Sequence, residues 1–216
     1  MVDRYERDGY EIVPEVLLSE EVAVLRPWCE RCSGRPADAG RGMWTRDVAL
    51  SDPMLADLLG RARTLAERFL GEEAVASFAK VHSVSVGHDF GRGWHQALAY
   101  QSLPFSPTAI NVRLDDLELL VLLDDLTDED HGLWFAPGYH VAPLMEHRRR
   151  ADDGGYELVD PDRQIRLDEA QHLPLRAGDG VVYTLGTPHS CWSTPEPEVP
   201  VRAIRLGFRT ARSLRR

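Results

Sequence analysis

Residues 117–126 (LELLVLLDDL) form a nearly continuous apolar run. The run is much shorter than the ~18–20 apolar residues that cross a bilayer. Its length and composition predict a strand buried on both faces, and such a strand needs packed layers on either side.

The flanking sequence indicates what those layers are. Tyr10-Glu11-Ile12-Val13 reads as a short strand. Ser19-Glu20-Glu21 reads as a helix start with acids in its first turn, followed by Val22, Leu25 and Trp28 on the buried face. Residues 33–42 (SGRPADAGRG) read as loop. The clearest helix comes next: Ser51 is its expected cap and Pro53 lies in its first turn. Leu55, Leu58, Leu59, Ala62, Leu65, Ala66 and Phe69 make one apolar stripe, and Gly71 ends it. It reads as a brace against a sheet.

After Gly71 the period changes from helical to alternating. Residues 76–86 (ASFAKVHSVSV) put Lys80, His82, Val84 and Val86 on one face of a strand. Leu133–Ala136, residues 172–175, Val181–Tyr183 and Arg202–Phe208 read as further short strands separated by Gly/Pro turns. Residues 145–171, with Arg148-Arg149-Arg150, read as a polar excursion of the kind that carries specificity. No repeat, low-complexity tract or linker interrupts the chain. Its 216 residues at 43% hydrophobic suit one domain spanning 1–216. The expected class is mainly β with flanking α-helices, a sandwich or jelly roll.

A net charge of −10 argues against binding nucleic acid or an anionic membrane surface. The start, Met-Val-Asp-Arg-Tyr-Glu-Arg, lacks the apolar stretch of a secretory signal, so a cytoplasmic location is expected. Cys29-Glu30-Arg31-Cys32 has redox-motif spacing but ends a helical pattern instead of following a strand. With Cys191 the only other cysteine, a four-ligand zinc site is not built from thiols.

The candidate chemistry lies in Gly93-Trp94-His95-Gln96-Ala97-Leu98-Ala99-Tyr100 and in Thr187-Pro188-His189-Ser190. Arg202 follows thirteen residues after His189. This order resembles the phytanoyl-CoA dioxygenase-like family of Fe(II)/2-oxoglutarate oxygenases. The resemblance also takes in Arg7–Val13, residues 130–140 and Leu173–Asp179. It implies a double-stranded β-helix, iron held by His95 and His189, and the distal carboxylate of 2-oxoglutarate held by Arg202 with Cys191 nearby. Gln96, Tyr100 and Trp134 would line the substrate side.

Such iron sites usually carry two His and one carboxylate. The family reads Trp-His-Gln-Asp where this chain has Ala97, and none of the eight histidines is followed at i+2 by Asp or Glu. Three readings stay open. Ala97 leaves room for chloride, as in the related aliphatic halogenases, where the substrate radical recombines with chlorine. Alternatively, Asp89, Glu146 or Asp130 completes a hydroxylase site. In the third, the site binds no iron and the fold is a ligand-binding module. The first is the expected one, acting on an aliphatic carbon of a small-molecule secondary-metabolite intermediate, free or tethered to a carrier protein.

Overall fold

The computed structural model describes residues 3–36, 42–85, 92–102, 116–127, 132–151, 155–191 and 200–212. In chain order these form α1 (Asp3–Asp8), β1 (Tyr10–Val13), α2 (Ser19–Ser33), β2 (Gly42–Val48), α3 (Ala56–Leu70) and β3 (Ala74–Ser85). Next come β4 (Arg92–His95), α4 (Ala97–Ser102), β5 (Asp116–Leu122), β6 (Leu133–Phe135), β7 (His147–Arg149) and β8 (Tyr156–Leu158). The remainder is α5 (Pro161–Gln164), β9 (Gln171–Leu173), β10 (Gly180–Thr184), β11 (His189–Cys191) and β12 (Val201–Thr210).

The strands make a six-stranded sheet in the order β1-β10-β5-β12-β3-β2, a four-stranded sheet β4-β11-β6-β9 and a ribbon β7-β8. Every pairing is antiparallel. The two larger sheets are the walls of a double-stranded β-helix.

β5 lies inside the larger sheet and is buried from end to end. Because side chains alternate along a strand, Leu117, Leu119 and Val121 join the core under the helices. Leu120 and Leu122 join the core between the sheets. The run of apolar residues is thus the junction of two cores. α3 supplies the cover: Leu58, Ala62, Ala66 and Phe69 are buried on its sheet-facing side. Truncating one of its large apolar residues to Ala would cost about 2–5 kcal/mol. Gly71 ends it in a left-handed conformation, φ 72°.

Two expectations are corrected. The cap preceding α3 is Asp52, not Ser51: its side chain accepts from the Met54 amide at 2.9 Å, and Pro53–Leu55 form a 3-10 turn before the helix. Residues 145–171 are not simply a polar loop, since they fold into β7, β8 and α5. Val86 lies outside the described residues, as does the 37–41 part of the expected loop. Among the described residues no helix is long and apolar enough to cross a membrane.

Candidate metal centre

β4 and β11 lie side by side in the smaller sheet, and the register puts His95 directly opposite His189. Their rings are 4.3 Å apart at the centroids. Each ring is pinned by the carbonyl two residues before it. His95 Nδ1 is 3.3 Å from the Gly93 carbonyl, and His189 Nδ1 is 3.0 Å from the Thr187 carbonyl. A carbonyl can only accept, so Nδ1 carries the proton in both rings and Nε2 carries the lone pair. That tautomer is the one a metal ligand needs, with its second nitrogen fixed by a hydrogen bond. Burial pushes the His189 pKa down, partly offset by the Thr187 hydrogen bond and the Glu118 charge, which favours the neutral ring. Phe135 stacks on His189 at 5.2 Å and Tyr183 lies 5.0 Å away, so the ring is held on two sides.

The strand stops at His95. Ala97 opens α4, and the Ala99 amide bonds back to the Gln96 carbonyl at 3.0 Å. The alternation that brings side chains i and i+2 together in an extended segment therefore does not reach Ala97. Its methyl is buried with Leu98 and Leu185, with Leu144 packed against them.

Gln96 holds the turn together. Its Nε2 donates to the Gly186 carbonyl at 2.7 Å, and its Oε1 accepts from the Met145 amide at 2.8 Å. Fully buried and bonded at both ends of its amide, it is a structural clamp between the β10–β11 turn and the segment leading into β7. It is not the substrate contact expected from the sequence. The backbone amide of Gln96 donates to His147 Nε2 at 3.1 Å. β8 braces the same region, because a side chain at Gly93 would run into Glu157, with Cβ 2.6 Å from its Oε2.

The other expected site residues are dispersed. Arg202 faces the helices: its Nε and Nη2 donate to Asp124 at 2.7 and 2.8 Å, and Arg26 pairs with the same carboxylate. The parity of β12 explains the placement. Ile204 and Leu206 share the helix side, whereas Val201 and Ala203 face between the sheets. Arg205 is on that inner side, 3.6 Å from Glu118 Oε2 and close enough to His189 to bear on its charge. Alternation puts the two arginines on opposite faces, and the expected anchor, Arg202, is the outward one. Trp134 is likewise turned out. Leu133 and Phe135 point inward, and Trp134 packs on His172 at 5.5 Å. Tyr100 lies in α4 and Cys191 in β11, and their side chains are outside the described parts.

Among the described residues no group of three or more His, Cys, Asp and Glu is arranged to hold a metal. Of the carboxylates considered as a third ligand, Asp89 and Asp130 lie outside the described residues and Glu146 is exposed on the surface. The two pinned imidazoles fit an iron ion as two ligands; Ala97, where the sequence resemblance expects a carboxylate, is in apolar surroundings. Sequence reasoning missed Glu118, a buried carboxylate on the inner face of β5. Its signal was an acid flanked by leucines inside an apolar run.

A double-stranded β-helix with two facing, Nδ1-pinned histidines at the end of its smaller sheet defines a class of non-haem metal oxygenase folds. The phytanoyl-CoA dioxygenase (PhyH) family matches residues 5–191, and the chain belongs to that family of iron- and 2-oxoglutarate-dependent oxygenases. It is 26% identical to methylphosphonate hydroxylase of Gimesia maris, over 96% of this chain and 78% of that protein. EvdO2 from Micromonospora carbonacea var. aurantiaca has a similar fold, with TM-score 0.77 and 24% identity, covering 97% of this chain and 89% of that one. So does the epimerase SnoN from nogalamycin biosynthesis, solved with Fe3+, α-ketoglutarate and nogalamycin RO. There the TM-score is 0.70 at 23% identity, covering 97% of this chain and 82% of that one.

Proposed function

We propose that this chain holds Fe(II) through His95 and His189, takes 2-oxoglutarate as cosubstrate, and halogenates an unactivated aliphatic carbon of a small secondary-metabolite intermediate. One observation carries the reading: two pinned imidazoles face each other, and the family's carboxylate position is the buried methyl of Ala97. Bound iron, with 2-oxoglutarate and dioxygen, supplies an oxidant able to remove hydrogen from an aliphatic carbon.

The chain's own residues would set that chemistry up. His95 and His189 each offer a neutral nitrogen. Arg205, on the inner face of β12, would take the distal carboxylate of 2-oxoglutarate through its fork of donors. Arg202 is committed to Asp124. In this reading the small Ala97 side chain would leave to a halide the place a carboxylate would fill. Its apolar border of Leu98, Leu185 and Leu144 makes a bare anion costly there unless an adjacent cation offsets the charge. Chloride is therefore expected to bind after iron and not before. Tyr100, on α4, belongs to the substrate side in this reading, and Cys191 to the cosubstrate side. The substrate is free or carried on a carrier protein.

Hydroxylation is the second reading. It is supported by the similarity to methylphosphonate hydroxylase along 96% of the chain, and it requires a third ligand from another segment.

The test needs no substrate. Fe(II) and 2-oxoglutarate are added to the apo protein without oxygen, and the visible iron-to-oxoglutarate charge-transfer band is followed while chloride is titrated. A chloride-dependent shift of the band, or tighter cosubstrate binding, supports halogenation. A band that ignores chloride favours hydroxylation, and absence of a band removes the iron reading altogether.

A further inference from the structure

Between the sheets, close to His189, is an ion pair that the binding of iron by two histidines does not require. Glu118 on β5 is 4% exposed. Its Oε2 accepts the Tyr183 hydroxyl at 2.6 Å and lies 3.6 Å from Arg205 Nη1. Arg205 also lies close enough to Tyr183 to bear on its hydroxyl. The sheet register builds this cluster, with Glu118 opposite Tyr183 on one side and Gly207 on the other. Gly207 has no side chain because Phe78 fills its place; a Cβ there would lie 2.2 Å from the Phe78 ring. Arg205 stands over the same ring at 5.7 Å. The other inward carboxylate of β5, Asp116, pairs with Arg209 at 3.5 Å.

We infer that Glu118 is a built-in competitor for Arg205, holding the affinity for the dicarboxylate cosubstrate down. This rests on the reading of Arg205 as the residue that takes the distal carboxylate of 2-oxoglutarate. A guanidinium has enough donors for two carboxylates, so Glu118 need not leave when the cosubstrate enters. Two carboxylates on one half-buried cation nevertheless repel each other, and the reduced screening between the sheets makes that repulsion count. An arginine facing a cosubstrate pocket without such a neighbour would bind a dianion more tightly. Here the pocket is already neutralised, which sets the concentration of cosubstrate at which the protein becomes loaded. It also narrows the advantage of a dicarboxylate over a 2-oxo acid that lacks a distal carboxylate.

The experiment is anaerobic titration of the Fe(II)-loaded protein with 2-oxoglutarate and, separately, with pyruvate, which has no distal carboxylate. Binding is read from the charge-transfer band and from heat of binding. Glu118→Gln keeps the volume and an acceptor for Tyr183 while removing the charge. It should bind 2-oxoglutarate about tenfold or more tighter, with pyruvate changed by less than about threefold. Glu118→Met gives the same direction if the amide variant does not fold. Arg205→Met tests the underlying reading, because it should weaken 2-oxoglutarate and spare pyruvate. If Arg205→Met weakens 2-oxoglutarate while both Glu118 variants leave it unchanged, the inference fails and the reading of Arg205 stands. An Arg205→Met variant that binds 2-oxoglutarate normally overturns both. Loss of Fe(II) from the Glu118 variants identifies Glu118 as the missing metal ligand and overturns the inference.

Discussion

His147 accepts the backbone amide hydrogen of Gln96 at 3.1 Å, and its own Nδ1–H donates to the Met145 carbonyl at 2.8 Å. The imidazole thus spans from the ribbon β7-β8 to the turn joining His95 to Ala97, holding the backbone beside His95, the proposed iron ligand. Residues that position a ligand from behind typically contribute about 10- to 100-fold in metal affinity. His147→Leu should weaken Fe(II) binding by roughly that factor. His147→Gln, whose amide oxygen can reach the Gln96 amide, should restore most of it. Equal Fe(II) dissociation constants for the leucine and glutamine variants would show that the hydrogen bond does not position His95.

Arg202 has a different task. It clamps Asp124 with its side chain and with its own backbone amide at 2.8 Å, joining β12 to the segment after β5. Arg202→Met would leave Asp124 its second partner, Arg26, at 2.9 Å. The loss should therefore be about 1–3 kcal/mol of unfolding free energy, less than for a buried carboxylate stripped of every partner. Cosubstrate affinity should not change. Denaturant unfolding together with 2-oxoglutarate titration separates the two effects, and weaker cosubstrate binding at unaltered stability would return the anchor role to Arg202.

How far the sequence carries can be seen on β12 and β6. Alternation along each strand is a local property, so it was legible that Arg202 and Arg205 lie on opposite faces, as do Trp134 and Phe135. Which face is inward depends on partners far away in the chain. Asp124 and the helices draw Arg202 outward, and Glu118 holds Arg205 inside. The β7-β8 ribbon was illegible for a related reason: His147–Arg149 are partly or fully exposed, so they carry no buried, period-two signal. The two histidines were legible because their setting, a strand end and a Gly/Pro turn, is written locally. The identity of the residue at position 97 was also plain, but not that a helix begins there.

Cys29 and Cys32 are one helical turn apart on α2, yet they should behave as separate thiols. Cys29 is fully buried, and its Sγ lies 3.4 Å from the His82 carbonyl; burial pushes its pKa up to about 12. Near pH 8 only about one molecule in ten thousand would carry the reactive thiolate. Cys32 is partly buried and its pKa is also raised by burial. Brief iodoacetamide treatment of the native protein followed by peptide mass spectrometry should leave Cys29 unlabelled and label Cys32 slowly. Rapid labelling of Cys29 would mean that α2 opens readily from the sheet.

His140 gives the fold a dependence on pH. Its ring is packed against Gly9, where φ is +84° and a Cβ would come within 2.4 Å of the His140 Cβ. Burial lowers its pKa from 6.5, opposed by a hydrogen bond with the Glu6 carbonyl and by the charge of Asp8. Arg7 and Arg4 keep Asp8 ionised, so that opposition persists at mildly acidic pH. Below pH 6.5 the unfolded chain takes up the proton more readily than the folded one. Stability from this group is therefore complete above that pH and lost as pH falls through the window beneath it. His147 is lowered for the same leading reason and acts with the same sign. Melting temperatures measured from pH 7.5 downward should fall for the wild type and fall less steeply for His140→Gln. Parallel curves would assign the acid sensitivity to other groups.

Ala97→Asp distinguishes the two readings of the site most sharply. The substitution restores the residue type the family carries at this place, but it sets a carboxylate among Leu98, Leu185 and Leu144. Without metal, that buried and unpaired acid should cost about 1–3 kcal/mol of stability. With Fe(II), the same carboxylate gains a cation beside it, and ligand binding to the folded state returns stability in proportion to affinity. The variant should therefore melt lower than wild type when apo and gain more on adding Fe(II), and its charge-transfer band should no longer respond to chloride. If instead another carboxylate already completes the wild-type site, the introduced acid would find its coordination position taken. The iron-dependent gain in melting temperature would then be no larger than in the wild type, and chloride would have been silent in both. Thermal melts of the two proteins, with and without Fe(II) and chloride, distinguish a site left open by Ala97 from one closed by a residue elsewhere in the chain.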